Sequence, residues 1–450
     1  MDNNFGNNYI YKEITDSLCG LLRIPSVKST PAENAPFGAE TVKALEYMLN
    51  LGRSFGFETT NLDGYAGYID FPGTSGKQVA VLCHLDVVPA DKGWKNNPFE
   101  PVITDDRIIG RGTADDKGPA IASLYAMKSL KDEGFLPPCT IRLILGLDEE
   151  SGNECMTYYK KKEKLPDTGF TPDAKFPVIY AEKGICHVTL EGIADSDFDS
   201  SSNLRLISVK GGERANMIPA ECDYSYSITG TDNMISVKNM KSIGKPGHAS
   251  LPEFGENAIS KAMQELSELF TEFNSNNSFV KFFADNIALE TNGESLGIGF
   301  SDSKSGSLTC NVGLIDYSKG ISSVTLDIRY PVSVDRNIIL DTIKMKAKKY
   351  NLKIKNSSGL DPVYKDPQSD FVQTLLGVYE EVTGEKSQPI AIGGGTYARS
   401  IPGIIAFGPN FRPQDDVAHQ SGEYIKLKDL FLCYEIYKKA IEKLSFNLNK

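Results

Sequence analysis

At 450 residues the chain is too long for one ordinary hydrophobic core, so two or three globular units are expected. With 40% hydrophobic and 24% charged residues it is not a disordered chain, and a net charge of −11 argues against nucleic acid or an anionic membrane as partner. The opening MDNNFGNNYIYKEITD has no basic stretch followed by an apolar one, and no run nears the ~18 apolar residues of a membrane span, so a cytoplasmic protein is expected.

From 10 to 57 the apolar spacing is helical, interrupted at Pro25 and between Pro31 and Pro36. QVAVLCHLDVV (78–88) and TIRLILGLDEE (140–150) are short apolar runs of strand type. They bracket GPAIASLYAMKSLKDEG (118–134), whose spacing predicts a helix with Gly134 beyond its end. A β-α-β order implies a largely parallel sheet covered by helices, with polar residues gathered where the strands end. HLD and DEE fall at those ends.

After about residue 186 the pattern changes. HVTLEGI, LRLISVKG and CDYSYSITG predict antiparallel strands, 260–273 a helix, and 307–332 strands again. From about 365 helix, strand and loop alternate as before, and a last helix is predicted over 427–445. The expected architecture is an α/β catalytic domain, a mixed and largely parallel sheet with flanking helices, built from 1–185 and 365–450. An α+β lid domain, 186–364, interrupts it. Eight cysteines without a C-x-x-C pair predict reduced thiols and neither disulfides nor a thiolate zinc site.

The chain has four histidines, and His84 sits inside an apolar run two residues before Asp86. In a strand the two would share a face, giving either a hydrogen-bonded core pair or a metal-ligating imidazole fixed by its neighbour. GRGTADDKGP (110–119), LDEES (147–151), TPDAKFP (171–177) and DDVAHQSGEY (415–424) each have a bland reading as cap, solvated loop, turn or surface histidine. Together they bring two imidazoles and a surplus of carboxylates to the loop ends of one β-α-β core. That is a donor set for a dinuclear site holding zinc, manganese or cobalt, and the clustered negative charge calls for cations.

HLDVVP, GRGTADDKGP, LDEES, PDAKFPV, GKPGHASLPEFGENAI and DDVAHQSGEY, in this order around an insert, resemble the M20 co-catalytic metallopeptidase family over nearly the whole chain. SLTCNVGLID, LDIRYPV and AIGGGTYARSIPG point within it to the dipeptidase V type. The resemblance implies two divalent metal ions, zinc first among them, with His84 and His419 as terminal ligands. It makes Asp115 the bridging carboxylate, followed by a cis peptide bond, and Glu150 and Asp173 the remaining ligands. Glu149 would be the general base and Asp86 the group that orients His84. His248, in the GKPGH stretch of the insert, would supply a donor to the developing oxyanion and arrive on closure.

Asn216 in RANMIP and Arg329 in DIRYP match family positions that hold substrate, and Arg suits bidentate carboxylate binding. GGGTYAR (393–399), with Gly395 in it, is read as a backbone-donor loop at the substrate end, since it lacks the Lys-Ser/Thr ending of a phosphate loop. His187 fits no motif and is taken as structural. In the family, aspartate at the position of Asp173 accompanies aminopeptidases and dipeptidases, whereas deacylases and carboxypeptidases generally carry glutamate. The expected activity is therefore hydrolysis of unblocked dipeptides, with β-Ala-His a candidate substrate, by a metal-activated water. N-acyl amino acid deacylation and a metal-holding protein without catalysis are the alternatives. The insert resembles the enlarged lid of the dipeptidase V type, and that resemblance implies a monomer.

Overall fold

A computed structural model describes residues 9–194, 203–230, 232, 234–318, 320–411, 413 and 417–448. The first eight residues, and Asp415 and Asp416 at the head of the DDVAHQSGEY motif, lie outside them. The chain forms two compact units. One runs up to Tyr180 and takes in Lys365–Ile390 and the residues from Thr396 onward; the other is Ala181–Tyr364 with Ala391–Gly395.

The second unit thus begins before 186 and claims a piece expected in the last catalytic segment. The reason is local pairing. The Lys183 N–H donates to the Ile392 carbonyl at 3.0 Å, and the Arg329 guanidinium reaches the Gly393 carbonyl at 3.3 Å, so the glycine run is tied to the insert's own residues.

In the first unit six strands lie side by side: β1 (Glu58–Leu62), β2 (Ala66–Phe71), β3 (Ser75–His84), β4 (Cys139–Gly146), β5 (Thr168–Thr171) and β6 (Ile404–Ala406), in the order β1-β2-β4-β3-β5-β6. β4, β3, β5 and β6 are parallel to their neighbours in that row, while β1 and β2 run antiparallel. Residues 79–84 of β3 are buried without a break. A strand covered on both faces reads as a continuous apolar run, and each buried Val or Leu contributes about 1.5–3 kcal/mol.

Helices Lys117–Asp132 and Leu427–Leu448 pack together over this sheet, with the Ser129 and Tyr434 hydroxyls 2.8 Å apart between them. The first of these helices is almost wholly buried, which is why its sequence shows so little polar face. Two glycines set its approach. Gly112 has φ +88, a conformation that favours glycine, and a Cβ on Gly118 would stand 2.1 Å from the Thr113 carbonyl oxygen. All eight cysteines are buried and free.

The second unit carries a seven-stranded antiparallel sheet in the order Ile235–Ile243, Glu221–Thr229, Leu204–Gly211, Thr309–Ser318, Ile321–Tyr330, Gly184–Ile193, Lys353–Leu360. Alternation is visible in Gly184–Ile193, where Cys186, Val188 and Leu190 point into the core. Helix Ala258–Glu272 forms where 260–273 was predicted, its first turn capped by Asn257, whose side chain accepts the Ser260 N–H. Helices Ser278–Asn286 and Arg336–Lys348, capped by Asn277 and Asp335, and the edge strand Ile235–Ile243 were not anticipated. Only Ser242 of that strand is buried, so no apolar alternation marks it. Among the described residues no helix is long and apolar enough to cross a membrane.

Candidate active site

Three neighbouring parallel strands end at one level. His84 on β3 is in register with Gly146 on β4, and β5 ends at Thr171, whose hydroxyl donates to the Leu82 carbonyl at 2.7 Å. The polar residues follow at once: Asp86, Asp148 to Glu150, and Asp173. β3 stops at His84, so Asp86 lies in the irregular segment beyond it and the strand-face argument for pairing the two does not apply.

Their relation is instead built through the main chain. His84 Nδ1 is 3.0 Å from the Asp86 carbonyl oxygen and 3.6 Å from its carboxylate. A carbonyl only accepts, so Nδ1 carries the hydrogen and Nε2 points at Asp115. The Asp86 carboxylate turns instead to the neighbouring loop, where its two oxygens accept the N–H groups of Glu149 and Glu150, each at 3.1 Å. Asp86 thus meets the His84 ring at Nδ1 chiefly through its carbonyl, with its carboxylate 3.6 Å away, and holds the glutamate pair by its side chain.

Asp115 and Asp116 precede the buried helix and are joined by a cis peptide bond. Asp116 is fully buried and makes no cap contact; it accepts the His84 N–H at 3.1 Å. Asp115 turns the other way. One of its oxygens is 2.9 Å from His84 Nε2 and the other 2.9 Å from His419 Nε2. Glu150 stands 3.0 Å from His419 Nε2, and Asp173 lies 3.9 Å from His84 Nε2 while accepting the Tyr397 N–H at 3.2 Å. Ligand atoms of His84, Asp115 and Glu150 all fall within 4.8 Å of one another.

The charges explain what this arrangement needs. Burial opposes a charged His84, yet the Asp115 and Asp86 carboxylates hold its pKa well above the histidine range. Asp115 and then Glu150 bring that of His419 to about 11. Burial likewise opposes ionised Asp115, but the two imidazoles hold it far below the usual carboxylate range. The other acids go the opposite way. Burial, then Asp115 and Glu149, push Asp173 well up, burial raises Glu150, and burial brings Glu149 to about 7 despite the opposing pull of His84. More carboxylates converge than two imidazoles neutralise. Divalent cations fit this donor set: imidazole and carboxylate ligands suit borderline metals, and one carboxylate already faces two histidines with separate oxygens.

The structure thus brings together His84, Asp86, Asp115, Glu149, Glu150, Asp173 and His419. The remaining candidates belong to the second unit. Met217 and His248 pair across a two-stranded ribbon, and the Ala249 N–H donates to the Asn216 carbonyl at 3.0 Å, so His248 and Asn216 are neighbours. His248 Nδ1 accepts the Ser250 N–H at 3.1 Å, which leaves the hydrogen on Nε2.

Arg329 Nε and Nη2 donate to the two oxygens of Asp327 at 2.6 and 2.8 Å, so that edge of the guanidinium is engaged within the unit, and Nη1 reaches the Gly393 carbonyl. His187 Nε2 joins the same Asp327 at 2.8 Å. Gly395 sits exposed on the loop tied to this unit.

Two features escaped the sequence reading. Tyr397, in the GGGTYAR run, is buried with its ring edge-on to His84 at 5.8 Å, and an aromatic after three glycines could have flagged it. Glu423 and Arg111 form a buried ion pair at 2.7 Å, and both lie inside motifs already singled out.

The profile of peptidase family M20/M25/M40 matches residues 80–443. A Staphylococcus aureus protein whose name gives dipeptidase as a provisional designation is 36% identical, covering 96% of this chain and 97% of its own. Among solved structures, an aminoacylhistidine dipeptidase from Vibrio alginolyticus is similar with TM-score 0.64 at 15% identity, over 97% of this chain and 98% of that one. An M20 family metallo-carboxypeptidase from Sulfolobus solfataricus gives 0.59 at 18%, over 96% and 99%. At such identities the structural likeness speaks to the fold, and the fold is that of these enzymes: an α/β catalytic unit with an α+β insert.

Proposed function

The chain belongs to peptidase family M20/M25/M40 and is a hydrolase, and from that premise we propose that it is a dipeptidase acting on unblocked dipeptides with two divalent cations. The observation that carries this reading is Asp115, whose two oxygens each face a different histidine at 2.9 Å. His84 and Asp173 would hold one ion, His419 and Glu150 the other, and Asp115 both; zinc suits the set first, manganese and cobalt next. Such ions supply Lewis acidity and a water acidic enough to be deprotonated near neutral pH.

The chain's own residues do the rest. Glu149, next to Glu150 and held by Asp86 at its N–H, is the group placed to take a proton from the attacking water and return it to the leaving nitrogen. Asp86 fixes that base by holding the Glu149 and Glu150 N–H groups, and fixes the His84 tautomer through its carbonyl. His248, with its hydrogen on Nε2, is proposed as the donor to the oxyanion. Asn216 and the loop at Gly395 are proposed to hold substrate. Arg329, braced by Asp327 and touching the Gly393 carbonyl through Nη1, is proposed to join them at the substrate carboxylate.

The dipeptide preference is supported by the provisional name of the 36% identical relative and by aspartate at 173. Metal-stripped protein reconstituted with zinc, manganese or cobalt should hydrolyse dipeptides, β-Ala-His among those tried, and spare tripeptides, N-acetyl and N-succinyl amino acids. Cleavage of the acylated amino acids alone would replace this reading with a deacylase. Tight metal binding without turnover of anything would replace it with a non-catalytic protein.

A further inference from the structure

We infer that Glu423, braced by Arg111, is a positioning residue that sets Asp115 and His419 together for metal; this rests on the metal site proposed above. Glu423 is fully buried and Arg111 nearly so. One carboxylate oxygen of Glu423 accepts three N–H groups, those of Gly112 at 3.1 Å, Ala114 at 3.0 Å and Asp115 at 3.3 Å. The other accepts Arg111 Nη1 at 2.7 Å, and Arg111 Nη2 reaches the His419 carbonyl at 3.4 Å. The Glu423 carbonyl also accepts the Gly110 N–H at 2.9 Å. One side chain therefore gathers the loop that delivers Asp115 and, through one guanidinium, grips the backbone of His419.

His419 needs that grip. Its φ is +64, a left-handed conformation uncommon for a histidine, and its ring is about half exposed, so its own packing does little to hold it. His84 is held otherwise, by Asp116 on its N–H and the Asp86 carbonyl on Nδ1. The two histidines thus depend on different supports, and a fault in the Glu423 clamp should fall on the His419 side. A merely structural ion pair carries no such asymmetry.

Glu423→Gln tests this with little change of volume. An amide has one acceptor oxygen, so its NH2 must face either Arg111 or the three converging N–H groups. Arg111→Lys is the second variant, a point charge that keeps Glu423 paired but lacks the fork that also reaches the His419 carbonyl. Zinc and cobalt affinities are read by chelator competition, with the visible spectrum of bound cobalt. The single tryptophan, Trp94, whose ring faces the Arg111 guanidinium at 5.3 Å, serves as a fluorescence reporter of the clamp.

Wild type should take two ions, and each variant should lose about 10–100-fold in affinity for one of them. The cobalt spectrum of that site and the Trp94 response to it should change, while the other ion, which shares Asp115 but keeps His84 on its own supports, should weaken distinctly less. Folded variants with both affinities and the cobalt spectrum unchanged would overturn the positioning role. Equal weakening of both ions would overturn it as well, in favour of general loosening. If wild type binds no metal, the proposed function fails first and separately.

Discussion

Replacing Glu149 by Gln should separate catalysis from stability in opposite directions. In the metal-free protein burial carries this carboxyl from an ordinary 4.5 to about 7. At about 1.4 kcal/mol per pH unit, the ionised form costs the folded state on the order of 3 kcal/mol. The sign follows from proton counting. Between the two values the folded chain holds more proton than the unfolded one, so stability falls as pH rises from 4.5 and the full cost is present above about 7. Gln has no charge to bury, so the metal-free variant should resist urea better than wild type at pH 8 and equal it near pH 4. With metal restored, turnover should drop by about 10²- to 10⁴-fold, the contribution of a positioned general base. Urea midpoints of the metal-free proteins at both pH values, metal content of the loaded ones, and kcat on a dipeptide are the measurements. A loaded variant within a few-fold of wild-type kcat would refute Glu149 as the base. A lower urea midpoint at pH 8 would refute the electrostatic argument behind it.

Substitutions at two other positions probe the supports. Asp86→Ala leaves the Glu149 and Glu150 N–H groups without their acceptor, and metal affinity measured by chelator competition should fall about 10–100-fold; Asp86→Asn, which keeps one acceptor oxygen, should fall less. In the second unit Asp327→Asn breaks a buried pair with Arg329 and should cost about 3–5 kcal/mol near neutral pH, read by urea unfolding. Burial raises the Asp327 pKa, but His187 and Arg329 outweigh it and hold it below the carboxylate range. Its contribution is therefore full above the ordinary aspartate value of about 3.9 and is lost as pH falls through the lower folded value, so the two proteins should converge in strong acid.

The parts of this molecule that were legible in its sequence are those in which one residue type has one structural use. VAVLC, apolar at every position, has to be covered on both faces, and polar residues directly after such a run sit where parallel strands end. His84, Glu149 and Glu150 fall there, and β3 and β4 do end in register; Asp173, just beyond β5, was legible only through the family resemblance. Asp86 shows where the inference stops. The sequence supplies a carboxylate two residues beyond the histidine, but the atom that meets the ring is the carbonyl, because the strand ends at His84 and the side chain is drawn to the next loop.

Arg329 could have been read more fully. Asp327 and Arg329 are two apart in the strand Ile321–Tyr330 and share a face, so a salt bridge between them was the direct expectation from alternation. Glu423 is the opposite case, since nothing local distinguishes it from a solvated glutamate in GEY. Its meaning appears only when Gly112, Ala114 and Asp115, some three hundred positions earlier, turn their N–H groups onto one oxygen. A ligand can be named from its chemistry because a metal asks for few side-chain types. The residue that holds a ligand in place can be any acceptor that the fold carries to the right spot, and for that reason the support of a site is harder to read than the site itself.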